Sequence, residues 1–145
     1  MVWRSLGVVA TAGVAIVALQ QPQLSRVEVS SDSAITQRLA TAEVLGQLGF
    51  GNIAASQIWL DFIQYFGHEE RATLSYRWVE AYLDTMTRLD PQFIEPYTYA
   101  LPALAMKAAD PAAAVTILDF GISQMSPEAN PSAFRLPWQA AIAEF

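Results

Sequence analysis

The chain has no cysteine, one histidine (His68) and one lysine (Lys107). Without thiols there is no disulfide, no thiolate metal site and no cysteine nucleophile. The compartment stays open, because a helical domain needs no covalent staples. Basic residues are few. From Val27 onward fourteen acidic residues face six basic ones, a balance of −8, with no Lys/Arg cluster. A field of that sign repels phosphate backbones and argues against a nucleic-acid partner. Also missing are Asn-Gly or Asp-Gly hairpin signals and any sustained period-two alternation, which speaks against sheet structure.

Chemical motifs are equally scarce. There is no Gly-x-Ser-x-Gly elbow and no glycine-rich phosphate loop. His68-Glu69-Glu70 is the one place where imidazole and carboxylates adjoin, but consecutive residues do not face one site on a helix, and zinc wants three or four converging ligands. Glu80 and Asp84 are flanked by Arg77 and Arg88 and read as surface ion pairs rather than an acid/base couple. The sequence therefore predicts a protein that is not an enzyme, with no metal and no cofactor.

An apolar share of 53% against 15% charged residues predicts a folded chain. Part of that excess sits at the start. "MVWRSLGVVATAGVAIVAL" carries one positive charge, Arg4, and then an apolar run from Leu6 to Leu19, the order of an export signal. As a helix the run spans roughly 21 Å, and roughly 27 Å if it begins at Val2 with Arg4 reaching back to the surface. The hydrocarbon core is roughly 30 Å thick. Residues 1–20 are thus read as a transmembrane anchor, or as a cleaved signal. Either way the N-terminus is cytoplasmic and the domain lies across the membrane. Gly7, Ala10 and Gly13 fall at three-residue intervals and could admit a neighbouring transmembrane helix.

Residues 21–33 are polar, with Pro22 and several serines, and suit a linker. Residues 34–145 read as helices throughout. Ser33 opens a run to about Leu48, and "GFGN" breaks it. A second helix follows to Phe66 with Ile58, Trp59, Phe62, Ile63 and Phe66 on one face, ended by Gly67. A third runs from about Thr73 to Leu89 with a stripe of Trp78, Val79, Tyr82, Leu83 and Met86, and Asp84 can pair with Arg88. The fourth, about Ile94 to Ala108, holds Pro102, which should kink it. Asp110-Pro111 is a capping carboxylate followed by a first-turn proline. It opens a helix to about Gln124 with Ala114, Leu118, Gly121, Ile122 and Met125 on one side. Asn130-Pro131 or Pro137 opens a last segment with Trp138 and Ile142. The expected fold class is all-α, with antiparallel neighbouring helices.

Pro91 and Pro127 stand 36 residues apart, each following a helix. Ala114, Leu118 and Gly121 before Pro127 match Val79, Leu83 and Met86 before Pro91, allowing one extra residue in the second turn. A helix pair of about 34 residues closed by a proline is the tetratricopeptide (TPR) unit. The elements Gly49-Phe50-Gly51-Asn52, Trp59, Tyr65-Phe66-Gly67 and Leu89-Asp90-Pro91 make residues 43–140 resemble small bacterial envelope proteins, found also in photosynthetic bacteria, with an export or anchor segment and a TPR-like domain. The resemblance implies the fold and topology.

Trp59, Tyr97, Tyr99 and Trp138 belong to an aromatic set that is large for this length, and aromatic anchors are favoured at interfaces. They are taken with Gly7, Ala10 and Gly13 as candidate contacts to a partner. The expectation is an accessory or assembly subunit of a membrane protein complex, held to the bilayer by its N-terminal helix, with its domain in the periplasm or thylakoid lumen. The rival is a released periplasmic or lumenal module that binds a peptide or small ligand.

Overall fold

A computed structural model describes residues 31–68 and 75–144. The chain divides into two units, Met1–Asp32 and Ser33–Phe145, and the second is described here. The anchor reading of residues 1–20, most of the linker, and Gly7, Ala10 and Gly13 lie outside the described residues. Among those described there is no strand, and no helix is long and apolar enough to cross a membrane. The all-α expectation holds.

The helices are α1 (Asp32–Leu45), α2 (Gly51–Phe66), α3 (Val79–Leu89), α4 (Ile94–Tyr99), α5 (Pro111–Gln124) and α6 (Arg135–Ala143). Between α1 and α2 the chain passes through a wide π-type turn, Gly46–Phe50, whose winding is broken at Gly49, as the sequence predicts; its φ of 89° is one that only glycine adopts without strain. A second π segment, Ala100–Ala108, prolongs α4, and a short 3-10 turn, Pro131–Phe134, leads into α6.

Consecutive helices pack antiparallel. The first residue of α2, Gly51, lies against Leu89 at the end of α3. At the opposite end the Tyr65 hydroxyl donates to the Ser75 carbonyl at 3.1 Å and accepts from the Trp78 amide at 3.4 Å. Farther along, Gly121 near the end of α5 meets Tyr97 of α4 and Leu136 of α6. A β-carbon on Gly121 would fall 2.5 Å from the Tyr97 ring, so the close crossing of α4 and α5 depends on that glycine.

Measured from the last residue of each helix, Leu89 and Gln124, the two prolines follow at different distances. Pro91 is two residues on and Pro127 three, which is the extra turn residue that the sequence spacing predicts. Counted back from the same ends, Val79, Leu83 and Met86 of α3 coincide with Ala114, Leu118 and Gly121 of α5, and all six are buried. The two helices also end alike: the Asp90 amide donates to the Met86 carbonyl and the Met125 amide to that of Gly121, both at 3.0 Å.

Pro102 does not break its helix. With no amide hydrogen and a ring that crowds the carbonyl four residues back, it sits in the widened π winding, and that carbonyl, of Thr98, accepts from the Gln139 side chain of α6 at 3.4 Å. Asp110 caps α5 as the sequence predicts, its carboxylate accepting from the Ala113 amide at 3.0 Å. Of the two starts read for the last segment, Asn130-Pro131 is the one used: the Asn130 side chain accepts from the Ser132 amide. Two apolar faces are wider in the sequence than in the fold, since Ile63 and Ile122 are exposed.

Candidate functional site

Three surfaces could carry a function. The first is a groove of about 430 Å³ between α1 and α2. Its floor is apolar, made by Ala42, Leu45, Ala54 and Ile58, and its rim carries Gln37, Thr41 and Gln57. Arg38 reaches across the groove to Asp61 at 3.3 Å. Because that pair balances its own charge, the groove presents amides and a hydroxyl over an apolar floor. Thr41 spends its hydroxyl hydrogen on the Gln37 carbonyl at 2.8 Å. Such a lining can hydrogen-bond a neutral polar group. It holds no nucleophile paired with a base. Sequence reasoning missed these residues; the signal for them is two polar pairs, Gln37 with Thr41 and Gln57 with Asp61, each four residues apart beside an apolar stripe.

The second surface is aromatic. Trp59 of α2 and Tyr99 of α4 meet edge to face with ring centres 5.1 Å apart, and Phe93 closes on the other edge of Trp59 at 5.9 Å. Phe62 stacks behind them, and Phe66 carries the array to Tyr76. Trp59 and Tyr99 are each half-buried, so most of their ring area is already used inside the domain. Pairs of this geometry contribute about 0.5–1.5 kcal/mol each beyond simple burial, which makes the array a structural seam between the helix pairs.

Tyr97 is two residues from Tyr99 but on the opposite side of α4, wholly buried against Gly121, with its hydroxyl donating to the Pro91 carbonyl at 3.2 Å. Burial, and after it the negative charge of Asp90, holds its phenol well above the usual tyrosine range. From that place Tyr97 offers no surface to a partner.

Trp138 forms the third surface. It is 65% exposed, and Phe134 one turn before it and Ile142 one turn after it are exposed too, at 61% and 42%. Residues spaced by four lie on one ridge of a helix, so α6 turns its buried side, Leu136, Ala140 and Ala143, to the domain and an apolar ridge to the outside. Arg135 lies 5.9 Å over the Phe134 ring. Of the four aromatic candidates, the fold thus brings Trp59 and Tyr99 together, buries Tyr97 and leaves Trp138 outside.

No three metal-capable side chains converge among the described residues. His68 is described, while Glu69 and Glu70 lie outside the described residues. No family model, no curated protein and no solved structure matches the chain.

Proposed function

We propose that this protein is a non-enzymatic accessory or assembly subunit of a membrane protein complex, a TPR-like helical domain docked on its partner through α6 and held at the bilayer by residues 1–20. The observation that carries the proposal is the Phe134, Trp138 and Ile142 ridge. Three large apolar side chains aligned on an outer helix face are costly to leave in water, at about 25 cal/mol for each Å² of apolar surface. A helix laid along such a ridge is the partner it fits best. The equal burial of Val79, Leu83 and Met86 with Ala114, Leu118 and Gly121 supports the repeat. The apolar run from Leu6 to Leu19 supports the membrane placement, with the domain in the periplasm or thylakoid lumen.

Mild-detergent solubilisation, native-gel separation and mass spectrometry of the band, N-terminal peptide included, test this reading. Co-migration with a large complex and an intact N-terminus is the expected result. A small soluble species beginning near Leu19 or Gln20 would instead favour a released binding module, for which the α1–α2 groove is the supporting feature.

A further inference from the structure

The bend between α1 and α2 has a composition unlike the rest of the domain. From Val44 to Leu60 seventeen consecutive residues carry no Asp, Glu, Lys, Arg or His, in a domain otherwise rich in carboxylates. The charges stop at Glu43 on one side and resume at Asp61 on the other. Within that stretch the largest apolar side chains around the bend point outward rather than in: Leu48 is 66% exposed, Ile53 63%, and Val44 and Phe50 about half. The inner side of the same bend is taken by Leu89, which lies against Gly46 and Gly51. The apolar atoms outside are therefore surplus to the fold.

We propose that this bend is a lipid-contacting tip, with Val44, Leu48, Phe50 and Ile53 seated in the headgroup and acyl boundary of the bilayer. The inference rests on the membrane placement proposed above. Three observations select lipid over a protein surface. A protein interface has an apolar centre with a polar, charged rim, whereas insertion into a bilayer requires charge to be absent along the inserted stretch; from Val44 to Ile53 there is none, and the nearest charges, the Glu43–Arg88 pair, stand at the base of the bend. Apolar surroundings also penalise unpaired backbone groups, and the turn that joins α1 to α2 is short, the five residues Gly46–Phe50 with the kink at Gly49, so few such groups lie outside the two helices. Lastly, the tether allows it: residues 21–31, if extended, would reach roughly 38 Å, well beyond the roughly 21 Å length of α1. A balance of −8 beyond Val27 selects neutral, zwitterionic headgroups over anionic ones.

Because the chain has no cysteine, a single Leu48→Cys carries an environment-sensitive fluorophore alone. The full chain so labelled is reconstituted in phosphatidylcholine vesicles and floated, with Ile53→Cys as a second tip position and Asp119→Cys, exposed on α5, as reference. Expected are blue-shifted emission at 48 and 53 and its loss to nitroxides about 5–10 Å below the headgroups, with neither effect at 119. Added phosphatidylglycerol should weaken both effects. If the chain floats but the tip probes stay wet, the tip proposal is overturned and the anchor stands. If the tip probes are dry yet unquenched by lipid nitroxides, protein covers the bend and the proposal is overturned. A chain that does not float at all overturns the tip and the membrane placement together.

Discussion

The main-chain carbonyl oxygen of Leu89 occupies the place where a β-carbon on Gly51 would stand. Two stretches nearly 40 residues apart, Gly49-Phe50-Gly51-Asn52 and Leu89-Asp90-Pro91, are thereby one contact. Gly46 meets only the end of the Leu89 side chain, which can swing aside. Gly51→Ala should therefore cost about 2–3 kcal/mol and Gly46→Ala less than about 1 kcal/mol. Urea unfolding of the two variants checks the order, and equal losses would mean that the backbone contact is not what matters.

Ala109 closes the π segment in the left-handed region, at φ 57° and ψ 37°, with the Asp110 amide bonded to the Leu104 carbonyl at 2.9 Å. A β-carbon in that conformation costs roughly 1–2 kcal/mol. Ala109 is exposed and contributes no core packing. Ala109→Gly should then raise stability, by about 1 kcal/mol at most once the freer unfolded chain is counted. A lower melting temperature in the variant would contradict this.

Above the ordinary phenol range near 10, the unfolded chain gives up the Tyr97 proton while the folded chain keeps it, because burial and Asp90 disfavour the phenolate. The folded state then binds more protons, so this group's contribution to stability is constant below about pH 10 and falls as pH rises beyond it. Urea midpoints for the parent protein and Tyr97→Phe should run parallel up to about pH 9 and converge above about pH 10. Curves that stay parallel would show that Tyr97 ionises as freely in the fold as outside it.

Arg88 bridges Asp84 at 2.9 Å on its own helix and Glu43 at 3.0 Å on α1. All three side chains are about half exposed or more, so water and salt screen the attraction. Arg88→Ala is expected to cost less than about 1 kcal/mol at low salt and almost nothing at about 1 M salt. A loss unchanged by salt would point to packing of the side-chain stem instead.

Trp138 contributes little to the domain itself, so Trp138→Ser should leave the unfolding midpoint within about 0.5 kcal/mol of the parent. On the proposed function the same change removes the domain from its complex on a native gel. Retention of the complex by the variant would move the docking face elsewhere.

Much of the architecture is legible in the residues because its signals are local. Asp110-Pro111 marks the start of α5, Gly67 follows the end of α2, and the α4 segment ends at Ala108 as its pattern predicts. Spacing also carries the equivalence of α3 and α5. What periodicity cannot convey is the far side of a contact. Gly51 reads as part of a helix break, yet its small size is what admits the Leu89 carbonyl. Pro102 reads as a kink, yet the chain there widens into π winding and the Thr98 carbonyl meets a glutamine 41 residues after it. Tyr97 and Tyr99 look alike in sequence; a two-residue step turns one into the core and the other toward Trp59. The groove residues escaped notice because each is an ordinary polar position until α1 and α2 are folded against one another.

The pairing of Thr98 with Gln139 shows how a gap in one helix can be closed from another. The amide that would ordinarily reach the Thr98 carbonyl from four residues on is the one Pro102 lacks, and an amide on α6 stands there instead. A proline in the α4 segment is thereby matched by a polar side chain on a neighbouring helix, and the two elements are joined by a directional contact as well as by packing.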